Sequence, residues 1–293
     1  MSERIAQINP PSLKLRRIKR ILDGLYRRYN RRNLIKPDPL QFVYRYSSRQ
    51  DREIVAFLAA ALAYGRVQQI EKSLTDLLGR MGDCPFEFVR DFGEHRREKL
   101  GNFKHRFTTG EDISDLLELL RGVLAENGSI EKCFLLGYSK TDESVLSALS
   151  KFCDGLLGTY AKTHRRQASR GLKYLLAGTA NGGACKRLNL FLRWMVRNDD
   201  VDTGLWRRID KAKLIVPVDV HMSRLCRILG LHSLKTVSLA MAVKITEAFK
   251  EIEPADPVKY DFALSRIGIV KNCTGRHRSG CEFCELFEFC NKR

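Results

Sequence analysis

Apolar residues recur every three to four positions along most of the chain, the spacing that places them on one face of an α-helix. The alternation of apolar and polar residues typical of a half-buried strand is almost absent. An Ala-rich helix should begin at a cap on Ser48 or Asp51 and end near Gly65. We therefore expect an all-α protein of about ten helices. The other predicted helices cover 13–32, 68–80, 112–126, 142–162, 168–177, 184–198, 220–229, 236–250 and 257–267.

The net charge of the chain is +18, and the excess of cations is uneven. Residues 1–50 contain 13 Lys or Arg but only three acids, and the 44 residues of 155–198 contain nine Lys or Arg and no acid. A surface kept free of acids favours a polyanionic partner, because Lys and Arg release counterions when they bind phosphate. The alternative is a cationic surface that only keeps the protein dissolved, because it has the same composition.

Nothing in the sequence predicts export or a membrane. The N-terminus lacks the apolar core of a signal peptide, and no run of about 18 apolar residues exists. The expected location is the cytoplasm, in association with the nucleoid, and the expected state is a monomer.

Four of the nine cysteines are clustered near the C-terminus in a C-x7-C-x2-C-x5-C pattern: Cys273, Cys281, Cys284 and Cys290. Four thiolates suit either a tetrahedral zinc ion or a [4Fe–4S] cluster. Structural zinc sites usually combine two C-x2-C pairs, whereas this segment has one such pair between two longer loops. The spacing therefore favours the iron–sulfur cluster over zinc. The other five cysteines are scattered and are interpreted as small buried hydrophobic residues.

The cysteine pattern resembles the C-terminal loop of endonuclease III and its relatives, which reads C-x6-C-x2-C-x5-C with basic residues between the first two cysteines. This chain has one additional residue in the first interval. The resemblance implies that Arg276 and Arg278 contact DNA phosphate and that the cluster holds their loop rigid.

The segment "GGACKRLNLFL" (residues 182–192) resembles the second half of the helix-hairpin-helix motif of the same DNA glycosylase superfamily. Bare backbone N–H groups at Gly182 and Gly183 would bind a phosphate, although Ala184 stands where the family has its second glycine. The resemblance implies that Lys186 is a catalytic nucleophile, and the alternative is an ordinary surface lysine. A helical wheel places Lys186, Asn189, Arg193 and Arg197 on one stripe, and Arg187, Arg193 and Arg197 are predicted DNA contacts.

The segment "VPVDVH" (residues 216–221) resembles the superfamily's Val-Asp-Thr-His motif, which makes Asp219 the matching catalytic acid. Its alternative role is to cap the helix that follows. The interval of 33 residues between Lys186 and Asp219 is similar to that of archaeal 8-oxoguanine DNA glycosylases. Tyr260 and Asp261 are candidates for the base-binding pocket, with a packing aromatic residue and a helix cap as the alternatives that we prefer.

The resemblance extends over most of the chain from residue 51 and implies a bacterial branch of this superfamily whose function is unknown. It implies a two-lobed helical fold, with one lobe over about 60–198, the other over about 1–59 and 199–272, and the cluster loop over 273–293. The implied activity is base excision, followed by strand cleavage through β-elimination. The implied partner is double-stranded DNA in which an oxidised base such as 8-oxoguanine is flipped out of the helix. The alternative is a non-catalytic iron–sulfur protein that binds nucleic acid. The segments that carry this broader resemblance are "DREIVAFLAAALAYGR", "KRLNLFLRWMVR", "VDTGLW", "VPVDVH" and "DPVKYDFAL".

Overall fold

A computed structural model describes residues 13–179, 182–270, 273–277 and 279–290. Over these residues the protein is mostly helical, as the periodicity predicts, with a single two-stranded hairpin of β1 (Lys104–His105) and β2 (Thr108–Thr109). Short 3₁₀ turns lie at Arg32–Leu34, Pro39–Arg45, Lys211–Lys213, Cys281–Phe283 and Phe287–Phe289. The helices are α1 (Leu13–Tyr29), α2 (Arg49–Ala61), α3 (Val67–Met81), α4 (Pro85–Arg90), α5 (Glu94–Glu98), α6 (Gly110–Asn127), α7 (Ile130–Leu135), α8 (Leu146–His164), α9 (Arg170–Leu175), α10 (Lys186–Val196), α11 (Val220–Ile228), α12 (Leu239–Ile252) and α13 (Asp261–Val270).

Every predicted helix is present, with ends that shift by a few residues. The cap predicted for α2 is confirmed at Ser48, whose hydroxyl accepts a hydrogen bond from the Asp51 N–H at 3.1 Å. Residues 199–217 form an irregular connection that contains one short 3₁₀ turn. The pattern missed α4, α5 and α7, because five or six residues complete fewer than two helical turns and leave no periodicity to detect. Among the described residues, no helix is both long and apolar enough to cross a membrane.

The helices pack into two groups. One group contains α2 and α10, and the other contains α1. In the first group, α2 packs against α10, α4 and the Pro39–Arg45 turn, while α6 packs against α4, α7 and α9. In the second group, α1 packs against α12 and α13, and α13 packs against α11. The predicted lobe boundary near residue 59 therefore needs correction, because it cuts α2, which is buried from Glu53 to Ala61 inside the first group. The Pro39–Arg45 turn packs against α2 and belongs to the same group.

The buried carboxylate of Glu53 connects α2 with α7 and with the irregular connection over 199–217. Glu53 accepts hydrogen bonds from the N–H groups of Ile130 and Glu131 at the start of α7, both at 3.0 Å. It also accepts the indole N–H of Trp206 at 2.7 Å. Burial raises the pKa of Glu53, and these three donors oppose that rise. The side chain thus caps α7 and anchors the irregular 199–217 connection.

The buried charges of α10 join this helix to the second lobe. Arg193 is 1% exposed, and its Nε lies 3.2 Å from Asp202 Oδ1 while Nη1 contacts Asp261 at the first turn of α13. One turn later, Arg197 pairs with Asp202, with Asp256 at 3.0 Å and with Asp199 at 2.8 Å. Burial by itself lowers the pKa of Arg197, but these carboxylates outweigh it and hold the pKa well above its ordinary value.

This network overturns part of the predicted DNA surface. Arg193 and Arg197 were predicted to face phosphate, yet both are buried and ion-paired, so neither guanidinium is available to DNA. Arg193 and Arg197 do lie on one face of α10, as the helical wheel predicts, but this face is turned toward the protein interior. Acids from 199–202, 256 and 261 cover it. Along α10 every residue from Leu188 to Val196 is buried.

Replacing Arg193 with Met should destabilise the protein by about 3–5 kcal/mol, because the buried carboxylate of Asp261 would lose its partner and that of Asp202 would keep only Arg197. Urea unfolding followed by circular dichroism measures the change. The control is Arg31→Met, which removes an exposed cation 3.6 Å from Asp200 and should cost less than about 1 kcal/mol. Equal unfolding midpoints for the two variants would contradict the structural role assigned to Arg193.

Candidate functional site

Two helix starts bring the predicted lysine and aspartate together. Lys186 is the first residue of α10, and Asp219 is the residue that caps the start of α11. Lys186 Nζ lies 3.1 Å from Asp219 Oδ2, and the two side chains are 34% and 36% exposed. The fold therefore converts a separation of 33 residues in sequence into a direct contact that solvent can reach.

The carboxylate of Asp219 is fixed by the backbone of its own helix. Its Oδ1 accepts hydrogen bonds from the N–H groups of His221 and Met222, both at 2.9 Å, while Oδ2 faces Lys186. Burial tends to raise the pKa of Asp219, but the ammonium group of Lys186 and the Met222 N–H outweigh it and place the pKa below its ordinary value. Asp219 therefore fulfils the capping role named as its alternative and still presents one ionised oxygen to the lysine.

The loop before Lys186 has the backbone geometry of a tight turn. Gly182 has a φ of 65° and Cys185, the cap of α10, has a φ of 49°, so both lie in the left-handed region that favours glycine. The Gly182 carbonyl accepts a hydrogen bond from the Leu239 N–H at 2.8 Å, which ties the turn to the start of α12. Gly182 and Gly183 are exposed, so their predicted contact with phosphate is sterically open.

The guanidinium of Arg187 is occupied by contacts within the protein. Its guanidinium donates to the carbonyl of Ala61 at 2.7 Å and to that of Tyr174, and it lies 4.0 Å from the centre of the Tyr174 ring. Burial lowers the pKa of Arg187, and the groups that oppose this shift are Tyr174, Tyr64 and Cys185 rather than carboxylates. The predicted role in binding DNA is corrected to a structural one, because Arg187 fastens the first turn of α10 to the end of α2 and to α9.

Tyr260 and Asp261 do not line an open base pocket. Tyr260 is 1% exposed, and its hydroxyl donates to Asp23 Oδ1 on α1 at 2.8 Å. Asp261, 5% exposed, is the first residue of α13 and holds Arg193. The packing role preferred for Tyr260 agrees with its burial, whereas the cap preferred for Asp261 stays a prediction, because its carboxylate is seen paired with Arg193. The pocket assignment of both residues is corrected by their burial.

All four clustered cysteines border one cavity of about 390 Å³, which includes space open to solvent. Apolar residues of the second lobe, Leu225 and Ile228 of α11 and Ile267 of α13, line its other side. Among the described residues, no three His, Cys, Asp or Glu side chains are arranged to hold a single metal ion. A zinc tetrahedron with bonds of about 2.3 Å needs sulfurs within about 3.8 Å of one another. Four thiols are the donor set that the sequence predicts for an iron–sulfur cluster, and this assignment stays a prediction.

The cysteine segment is attached to α1 and α11. Arg28 Nη1 lies 2.9 Å from Glu285 Oε1, Arg17 pairs with Glu288, and Arg224 of α11 donates to the Cys273 carbonyl at 2.7 Å. Gly275 packs against Arg224 with a φ of 75°, so a larger residue would collide with that arginine. The segment therefore rests on the helix whose start carries Asp219. Of the two predicted phosphate contacts here, Arg276 is exposed, and Arg278 lies outside the described residues.

The sequence pattern did not predict a cluster of aromatic and cationic residues near the start of α10. It comprises Tyr64 after α2, Tyr174 on α9, and Arg106 and Phe107 at the turn of the β-hairpin. The alternation of basic and aromatic residues in "KHRF" (104–107) was the available signal. A strand pair of two residues each was too short to predict.

The fold and site define a mostly helical protein with a solvent-accessible lysine–aspartate pair between two helix starts. Residues 38–270 match the family described as "Protein of unknown function (DUF2400)", and the chain belongs to this family. The matched range includes Lys186 and Asp219 and ends before Cys273. Comparison with curated proteins and with solved structures gave no match.

Replacing Asp219 with Ala should lower the free energy of unfolding by about 1 kcal/mol, because the first N–H groups of α11 lose their acceptor, whereas Asn should keep most of it. Since the folded pKa of Asp219 is lowered, its charge-dependent stabilisation is present above about pH 4 and is lost as the pH falls through the folded pKa. Urea unfolding of the native protein and both variants at neutral and acidic pH measures both effects. Equal stability of the Ala and Asn variants at neutral pH would contradict the cap.

Proposed function

We propose that the protein is a DNA glycosylase with an associated lyase activity, in which Lys186 is the nucleophile and Asp219 the acid–base partner. The contact of 3.1 Å between Lys186 Nζ and Asp219 Oδ2 carries the proposal. It places an amine beside a carboxylate whose lowered pKa keeps it ionised, at a position that solvent can reach.

The ion pair of Lys186 and Asp219 contributes little to the stability of the fold. An exposed ion pair contributes about 0–1 kcal/mol, and Asp219 already caps α11 through its other oxygen. The pairs that hold α10 in place are those of Arg193 and Arg197, which are almost fully buried. A lysine and an aspartate that meet at the surface without a clear share in the packing are better explained by chemistry.

The proposed reaction follows from the position of the two groups. Lys186 must lose a proton before it reacts, and the Asp219 carboxylate is within reach to accept it. The amine then attacks C1′ of the sugar, the bond from C1′ to the base breaks, and the base leaves with the electron pair and takes up a proton. Asp219 also stabilises the positive charge that develops on the sugar. The sugar ring then opens: the C1′–O4′ bond breaks, O4′ takes up a proton, and the nitrogen loses a proton and forms the C=N bond of a Schiff base with C1′. Loss of a proton from C2′ of this Schiff base expels the 3′ phosphate and cuts the strand.

The surroundings of the pair are suitable for a nucleic acid. The exposed turn at Gly182 and Gly183 precedes Lys186, and no Asp or Glu occurs from 155 to 198. Removal of Arg187, Arg193 and Arg197 from the set of DNA contacts leaves other cations exposed on the described surface, including those of α1 and Arg276. We infer that phosphate binding depends on these cations and on the turn rather than on α10 itself.

Cys273, Cys281, Cys284 and Cys290 would hold a [4Fe–4S] cluster, with zinc as the less favoured occupant. Bound there, the cluster would stabilise the loop that carries Arg276 and the packing of that loop on α11. The chemistry assigned to Lys186 and Asp219 requires no metal. The lesion proposed is an oxidised base such as 8-oxoguanine, which rests on the similarity of the Lys-to-Asp interval to that of the archaeal enzymes.

Borohydride reduction in the presence of duplexes that contain single lesions should trap a covalent protein–DNA adduct. Lys186→Arg keeps the positive charge but cannot form a Schiff base, so it should bind DNA and give no adduct. Asp219→Asn keeps the cap acceptor and should reduce the trapping rate at least about 100-fold. Gel electrophoresis measures the adduct, and fluorescence anisotropy measures binding. Binding without an adduct on any lesion or abasic duplex would favour a non-catalytic nucleic-acid-binding protein.

The protein purified without oxygen should be brown and contain about four iron and four sulfide per chain. Replacing Cys284 with Ser should remove most of the iron and lower the thermal unfolding temperature, whereas Cys84→Ser, at an exposed cysteine outside the cluster, should change neither. Metal analysis and absorption spectroscopy provide the readout. A colourless protein with one zinc per chain would contradict the iron–sulfur assignment.

A further inference from the structure

Phe107 is one of the most exposed aromatic side chains in the described part of the chain. It lies at the turn of the β-hairpin and is 48% exposed, although its ring packs on Tyr64 at 5.3 Å and on Tyr174 at 4.7 Å between centres. Tyr64 and Tyr174 also contact each other, at 5.0 Å. The three rings form one aromatic patch that has an open side at Phe107.

The hairpin that carries Phe107 is held rigidly. The Tyr64 hydroxyl donates to the His105 carbonyl at 3.0 Å and lies 2.6 Å from Thr108 Oγ1, one contact on each strand. The buried ring of His105 lies 2.9 Å from Ser73 Oγ and 3.0 Å from the Tyr64 carbonyl. A ring on such a support binds a flat ligand with little loss of conformational entropy.

Cations lie around the exposed edge of the patch. Arg106 precedes Phe107, is exposed, and places its guanidinium 5.9 Å from the centre of the Tyr64 ring. A Cβ on Gly65 would lie 2.9 Å from Arg106 Cδ, so glycine at this position makes room for the arginine. Arg66 and Lys104 are also exposed. Exposed aromatic rings beside Arg and Lys are the combination that binds a nucleobase together with its phosphate.

The patch and the lysine share a support. Arg187, the residue after Lys186, stacks on Tyr174 at 4.0 Å and lies 5.3 Å from the Tyr64 ring. Its hydrogen bonds to Ala61 and Tyr174 connect the first turn of α10 directly to the aromatic patch. The aromatic patch is therefore packed directly against the turn of helix that begins with Lys186.

We propose that Phe107, supported by Tyr64 and Tyr174, is a stacking platform for an unpaired nucleobase, and that Arg106 binds a phosphate of the same strand. This proposal rests on the proposed function for its ligand class, DNA, but not on any reaction at Lys186. Its partner is an unstacked base next to the site, since a base inside an intact duplex has no free face to offer.

The experiment compares binding of the full-length protein to a fully paired duplex and to a duplex with a tetrahydrofuran abasic analogue, which Lys186 cannot cleave. A 2-aminopurine opposite the analogue reports stacking by quenching of its fluorescence. Phe107→Ala should weaken binding to the abasic duplex about 5- to 100-fold and abolish the quenching, with little effect on the paired duplex. Phe107→Trp should retain both properties. Arg106→Gln should reduce the slope of log affinity against log salt by about one.

The matched control is Leu136→Ala, which removes another exposed apolar side chain, 79% exposed at the end of α7. It should bind both duplexes like the native protein. Unchanged binding and quenching in Phe107→Ala would overturn the platform even if Lys186 forms its adduct. Conversely, loss of stacking in Phe107→Ala would support the platform in a protein that proved to have no lyase activity.

Discussion

The buried charges of α10 determine where everything else in the site lies. Arg193 and Arg197 are taken out of water, which is tolerated only because carboxylates surround them. Any sliding or rotation of α10 would separate these charges in a medium of low dielectric constant. The network therefore fixes α10 relative to the 199–202 segment and α13, and with it the position of Lys186 at the start of the helix.

These contacts form a continuous path from α10 through α13 and α11 back to the start of α10. Arg193 holds Asp261 at the start of α13, α13 packs on α11, and α11 begins at Asp219, which returns to Lys186. The other charges on this path are almost fully buried, whereas the Lys186–Asp219 contact is about one-third exposed. The structural charges and the pair that we propose to react are thus neighbours on one scaffold, and they differ in exposure. The cysteine segment also contacts α11, through the hydrogen bond from Arg224 to the Cys273 carbonyl.

Periodicity predicted the long helices but not the direction of their charged faces. A stripe of Lys and Arg on a helical wheel looks the same whether it meets water or acids, and the acids that bury Arg193 lie 9 and 68 residues further along the chain. The lobe boundary failed for a related reason, because the helix pattern of α2 does not show which partner covers it. The proximity of Lys186 and Asp219 came from resemblance to a motif rather than from spacing. Phe107 was missed because two-residue strands carry no pattern.

The central claim is that one particular amine, that of Lys186, reacts with the sugar of a damaged nucleotide. Mass spectrometry of the peptide that carries DNA after borohydride reduction tests this most directly, because it locates the new bond by residue. We predict that the modified residue is Lys186 and that trypsin no longer cleaves after it. An adduct at a different lysine or at the N-terminal amine, with Lys186 unmodified, would contradict the account.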